Sequence, residues 1–142
     1  MNIKPMHTAF KCPVRGTSKS GGYDIFMPED GYVEPQAEEG VKIKLGFAAE
    51  VPEGHVVKIY PRSGKGVKNG LALNNTVGII DADYRGEWMV SARIHNGIGL
   101  SWKAGDRLFQ FVIVPVAAPD LMVVTELNDT ARGEGGFGST DT

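Results

Sequence analysis

Residues 41–45, VKIKL, alternate apolar and charged side chains at period two, the pattern of a strand with one wet face and a place near the outside. The same period in residues 88–94, WMVSARI, puts Trp88, Val90, Ala92 and Ile94 on one side. Residues 56–60, VVKIY, predict a further strand. Residues 108–114, LFQFVIV, are apolar on both faces apart from Gln110, which predicts a strand buried between two layers or against another subunit. Between such runs stand 19 glycines and 8 prolines, with turn signals such as Pro52-Glu53-Gly54, leaving little room for helices of ordinary length. No internal repeat is present. The pattern predicts an all-β domain, a sandwich, jelly roll or barrel, over residues 1–127. Residues 128–142 hold only Ala131 and Phe137 as apolar groups among glycines and polar side chains, and are expected to form a flexible arm until something orders them.

Composition narrows the picture further. A chain of 142 residues suits one domain with a buried core. Its 15 Lys plus Arg nearly cancel 17 Asp plus Glu, so no whole-molecule field draws it to nucleic acid or a membrane, and neither is expected as a partner. The single cysteine, Cys12, cannot form an intrachain disulfide and is read as structural. No run approaches the roughly 20 apolar residues of a membrane span, and the N-terminus lacks an apolar signal core. The expectation is a soluble, cytoplasmic protein.

Candidate chemistry lies in four segments. Pro61-Arg62-Ser63-Gly64-Lys65-Gly66 combines a guanidinium, a hydroxyl, an ammonium and unhindered backbone N–H groups, which suits a phosphate; alone it also reads as a basic surface turn. Gly78-Ile79-Ile80-Asp81-Ala82-Asp83-Tyr84-Arg85-Gly86 places two carboxylates directly after an apolar pair read as buried. Either aspartate can be a turn former bonded to nearby backbone, or a general base within reach of a water. Gln110 would need partners for a buried amide. The stretch Arg132-Gly133-Glu134-Gly135-Gly136-Phe137-Gly138-Ser139-Thr140 could dock a phosphate and a base, or remain a tail with weak affinity for nucleic acid. His7, His55 and His95 have no metal-ligand spacing, and no signature of a serine or cysteine nucleophile stands out.

In order along the chain, from Gly22-Tyr23-Asp24-Ile25 to RGEGGFGST, these segments resemble the five motifs of the trimeric dUTPase family over residues 21–140. The resemblance implies a jelly-roll-like β domain, or β-clip, assembled as a homotrimer with active sites shared between subunits. It implies hydrolysis of dUTP to dUMP and pyrophosphate, with Asp81 activating the water that attacks the alpha phosphorus. Tyr84 would lie against the deoxyribose and exclude a 2′-hydroxyl. Asn75, with backbone near Thr76 and Gly78, would read uracil. Arg62, Ser63 and Gly64 would hold the phosphates, with Ser63 near the departing oxygen, and Gln110 would position water and phosphate. The implied cofactor is Mg2+, carried on the phosphates and reached by Asp24 through water. Arg132, Phe137, Gly138, Ser139 and Thr140 would fold over the nucleotide as a lid.

The chain departs from the commoner family pattern at Lys65 (often leucine), at Leu108-Phe109 (often isoleucine-alanine) and at Asp141-Thr142 in place of a frequent glycine. Two rival readings share the fold. One is a dCTP deaminase, against which Asp81, Tyr84 and the Phe137 tail speak; the other is a binding protein that keeps the fold for contact with a regulator, against which Asp81, Arg62 and Arg132 speak.

Overall fold

The computed structural model describes residues 1–35 and 40–136. Eleven short strands and one short helix occur among them. The strands are β1 (Ile3–Pro5), β2 (Tyr23–Phe26), β3 (Gly31–Val33), β4 (Val41–Lys44), β5 (Phe47–Ala49) and β6 (His55–Pro61), then, after α1 (Ser63–Asn69), β7 (Leu71–Leu73), β8 (Gly78–Ile80), β9 (Met89–Ile94), β10 (Leu100–Trp102) and β11 (Arg107–Pro115). The main sheet runs β2-β11-β6-β8 and a second runs β4-β9-β7, with the two-stranded pairs β1-β5 and β10-β3 beside them. Every strand pairing is antiparallel.

The predicted alternations survive in three dimensions. In β9, Val90, Ala92 and Ile94 face inward with the preceding Trp88, while Met89 and Arg93 face out. In β4, Ile43 is buried and Lys42 and Lys44 are exposed, and the strand forms an edge of its sheet. β11 lies inside the main sheet, between β2 and β6, and buries Leu108, Phe109 and Phe111 almost completely. Both sheets feed one core, in which Phe47, Trp88 and Phe111 meet with ring centroids 4.8 and 5.3 Å apart. Aromatic pairs at such spacings add to plain area burial.

Three expectations need correction. Cys12 is exposed rather than packed, in a stretch without regular structure where the neighbouring Pro13 turns inward. Ile79 and Ile80 are not a buried pair: successive side chains of β8 point to opposite faces of the sheet, so Ile80, paired with Val57, faces the core at 8% exposure and Ile79, paired with Lys58, faces out at 46%. The basic segment 61–66 is neither a turn nor a loop but the junction from β6 into α1. Arg62 stays extended at φ −67°, ψ 146° as the cap, and Gly70 ends the helix at φ 66°, donating to the carbonyls of Gly66 and Lys65.

Beyond β11, residues 116–136 form no helix or strand. Within this run Leu121, Met122 and Leu127 lie 94%, 83% and 88% exposed. No helix among the described residues is long and apolar enough to cross a membrane.

Candidate active site

The connections that change sheets carry the chemistry. α1 leads from β6 in the main sheet to β7 in the second, residues 74–77 lead back from β7 to β8, and residues 81–88 cross again from β8 to β9. Chain at such corners leaves the ladder, so its side chains and backbone amides are free for other partners.

At the first corner, Asp24 is the one buried charged side chain among the described residues. Its Oδ1 receives Arg62 Nε at 2.9 Å and its Oδ2 receives Arg107 Nη1 at 3.1 Å. A buried carboxylate so clamped is compensated, and the cluster keeps one surplus positive charge. Because Arg62 uses Nε on Asp24, its terminal nitrogens remain for the adjoining recess, ≈ 290 Å³, lined by Arg62, Ser63, Gly64, Lys65, Lys68 and Asn69. That lining has three cations and no carboxylate, which suits an anion. Gln110 joins this corner from β11: its Nε2 donates to the Pro61 carbonyl at 3.4 Å, so the amide finds a partner. Register explains the meeting, since Gln110 stands opposite both Asp24 and Tyr60.

At the second corner, Asn75 and Thr76 are exposed. Thr76 is held at φ 65°, with its N–H on the Leu73 carbonyl at 3.1 Å, and Val77 donates to the Asn75 carbonyl at 2.6 Å. Gly78 is buried against Ile59, where a Cβ would stand 3.2 Å from the isoleucine.

The third corner holds Asp81 and Tyr84. Tyr84 N donates to the Asp81 carbonyl at 3.2 Å, and Arg85 Nη1 donates to the carbonyls of Ala82 and Tyr84 at 2.7 and 3.2 Å. Backbone and arginine thus close the turn. The Asp81 carboxylate makes no hydrogen bond or ion pair among the described residues and opens on a recess of ≈ 160 Å³ with Ile79, Ile80, Tyr84 and Met89. It is not the turn former that one reading of the sequence allowed.

The structure separates these corners within one chain. Ile80 pairs with Val57, so Asp81 lies level with Val56, six residues before Arg62 along β6. At roughly 3.3 Å per residue that is about 20 Å. Arg62, Ser63, Gly64, Gln110 and Asp24 gather at one end of β6, and Asp81 with Tyr84 at the other. Arg132 sits far along the chain in an exposed turn, its carbonyl accepting Gly135 N–H at 3.1 Å. Phe137, Gly138, Ser139 and Thr140 lie outside the described residues.

Sequence reasoning gave no role to Arg107, Lys68 or Met89. The signal for Arg107 was present, a cation three residues before Gln110 on the same strand, but only register reveals its carboxylate. No group of three or more His, Cys, Asp or Glu side chains able to hold a metal occurs among the described residues. Asp24 offers a single carboxylate whose oxygens each retain a second lone pair beside the arginines. That donor set fits a water-mediated contact to a cation carried by a ligand, and not an all-protein cage.

The profile of the dUTPase family matches residues 8–141. The deoxyuridine 5′-triphosphate nucleotidohydrolase of Nautilia profundicola is 39% identical over 140 residues, covering 99% of this chain and 97% of that protein. The solved dUTPase of Staphylococcus bacteriophage 80alpha, with dUPNHPP, has a TM-score of 0.86 at 30% identity, covering 97% of this chain and 96% of its own. A mutant dUTPase from phage phi11 of S. aureus, solved for the coordination of a structural Mg(II) ion, has a TM-score of 0.77 at 28% identity and covers 88% and 96%. With the residues of the first four motifs at the corners of a β-clip of jelly-roll type and relatives matching over nearly the whole length, the chain belongs to the dUTPase family.

Proposed function

We propose that this chain hydrolyses dUTP to dUMP and pyrophosphate at a site composed of more than one subunit. The observation that carries the composite site is the separation of about 20 Å between Asp81 and Arg62 along β6. A base must stand within hydrogen-bond reach of the water it activates, and that water must be in line with the phosphorus held by the phosphate cradle. One chain cannot satisfy both conditions. A threefold homotrimer can, by setting the Asp81 corner of one subunit against the Arg62 corner of another. The exposed Leu121, Met122 and Leu127 support the same reading, because an apolar run of this kind needs a covering surface.

In this site Asp81 takes a proton from water, the oxygen attacks the alpha phosphorus, and the bond to the bridging oxygen breaks so that pyrophosphate leaves. Arg62, the Ser63 hydroxyl and the Gly64 N–H stabilise the charge that gathers on the departing oxygens. Gln110 positions water and phosphate. Tyr84 lies against the deoxyribose and refuses a 2′-hydroxyl, while the Asn75 amide and backbone at Thr76 and Gly78 read uracil. Mg2+ bound to the triphosphate, and touched by Asp24 through water, would spread phosphate charge and fix the chain's shape. Residues 128–142, carrying Arg132, Phe137, Gly138, Ser139 and Thr140, close over the nucleotide as an arm, with the phenyl ring on uracil. The bound dUPNHPP of the 80alpha relative, a dUTP analogue, supports the substrate class.

The test is pyrophosphate release from dUTP, dCTP, dTTP and UTP with magnesium. Release from dUTP alone is expected. Ammonia released from dCTP would favour the deaminase reading, and absence of turnover with all four would favour a binding protein.

A further inference from the structure

Within the turn that carries Asp81, the Tyr84 ring folds back over the backbone of Gly86. A Cβ built at Gly86 would fall 2.4 Å from the Tyr84 hydroxyl oxygen, 2.6 Å from Cζ and 3.0 Å from Cε2. No side chain fits there while the ring keeps its place. Gly86 is not among the glycines held at positive φ, so its backbone conformation alone does not call for glycine. What the missing side chain provides is the seat for the ring. The hydroxyl is anchored as well, donating to the Glu87 carbonyl at 3.2 Å. Glu87 is tied in turn by Lys44 at 3.3 Å. The backbone of the turn is clamped independently by Arg85, while the ring meets Gly86 on its own side of the turn and shares its recess with Ile79, Ile80 and Met89. Since Tyr84 is 40% exposed, a displaced ring has open solvent to swing into.

We propose that Gly86 is a specificity-determining residue that acts through Tyr84, seating the ring where it narrows the recess shared with Asp81 and so sets the rejection of ribonucleotides. The inference rests on the reading of Tyr84 as the residue that faces the sugar. A seated ring is a rigid wall; a ring swung outward leaves room for one more hydroxyl. The expected signature is a change in substrate preference rather than a general loss of activity.

The experiment compares kcat/KM for dUTP and UTP in the wild type, Gly86→Ala, Tyr84→Ala and the double variant, with magnesium. Gly86→Ala is expected to lower the dUTP/UTP preference about tenfold or more, the scale on which a pocket wall discriminates small groups. In the Tyr84→Ala background the same substitution should lower it no further, because the ring it displaces is gone. A Gly86→Ala protein that loses activity equally on both nucleotides, or keeps the full preference, would overturn the proposal. If Gly86→Ala does not fold, Tyr84→Phe decides: it removes the hydroxyl anchor but keeps the ring against Gly86, so its preference should fall less than that of Tyr84→Ala. An equal fall would also overturn the proposal. A wild type that discriminates against UTP while Tyr84→Ala discriminates equally well would instead remove the reading of Tyr84, and this inference with it.

Discussion

Asp81 and Asp83 stand in one turn, both exposed, yet only Asp81 opens on the recess shared with Tyr84 and Met89. Asp81→Asn should therefore cost roughly 10²- to 10⁴-fold in turnover while nucleotide binding persists, the range for a positioned general base. Asp83→Asn should be far milder, and equal damage in steady-state assays would mark the turn as merely structural. Gly22 makes a similar point from the other corner. A Cβ there would stand 2.9 Å from Gln110 Oε1, again without a positive φ to require glycine. Gly22→Ala is expected to push the carboxamide aside and lower kcat more than it changes nucleotide binding. In a Gln110→Ala background it should do nothing further. The candidate segments at 61–66 and 78–86 could be singled out in the sequence because their polar groups are contiguous, whereas Asp24 and Asn75 were named only through the family resemblance. What Gly22 and Gly86 do was not legible, since a glycine's reason for being there lies in whichever side chain passes over it. The exposure of Ile79 was equally hidden, for two adjacent isoleucines do not say which of them points to the uncovered face of the sheet.

Among the elements, the three strands with clear period-two or doubly apolar patterns, and the β-branched run 56–60, were legible to within a residue or two, as with residues 108–114 against Arg107–Pro115. Strands of three residues, such as β3, β7 and β10, carry too few positions for alternation to show, whereas the four of β4 just suffice and β6 and β11 span seven or more. The helix α1 escaped for a physical reason. Two glycines in seven residues, no side-chain cap bond and no buried residue give it little intrinsic stability, so it is held by its attachment to β6 and β7. Gly66 is the place to show this. A Cβ there would meet only ordinary neighbours, the Leu71 carbonyl at 3.7 Å and Pro61 Cβ at 3.9 Å. Gly66→Ala should stabilise the protein by about 0.4 to 1 kcal/mol, chiefly by restricting the unfolded chain. The check is the urea midpoint, expected to rise with an unchanged m-value.

For the molecule as a whole, the sequence resemblance carried the idea of a shared site, but the geometric argument proposed for it could not be read from the chain. That argument lies in the register of β8 on β6, which no local pattern encodes. Complementation tests it directly. Two inactive proteins, one Asp81→Asn and one ending at Thr130, are refolded together so that they assort at random. If Asp81 and the arm of a site come from different subunits, roughly one quarter of the sites in an equal mixture recover. Mixtures as inactive as their parents, with mixed trimers confirmed by native mass measurement, would exclude a site built that way. The length of β6, which sets the Arg62 corner apart from the Asp81 corner, has one more consequence, this time for kinetics. A lone chain holds the two halves of the machinery too far apart to work, so the protein would have no active dissociated form. Its rate per chain should then fall on dilution through the assembly range and recover on concentration, whereas a self-sufficient subunit would keep a constant rate per chain. Initial velocity would thereby report association itself, with the substrate serving as the dye.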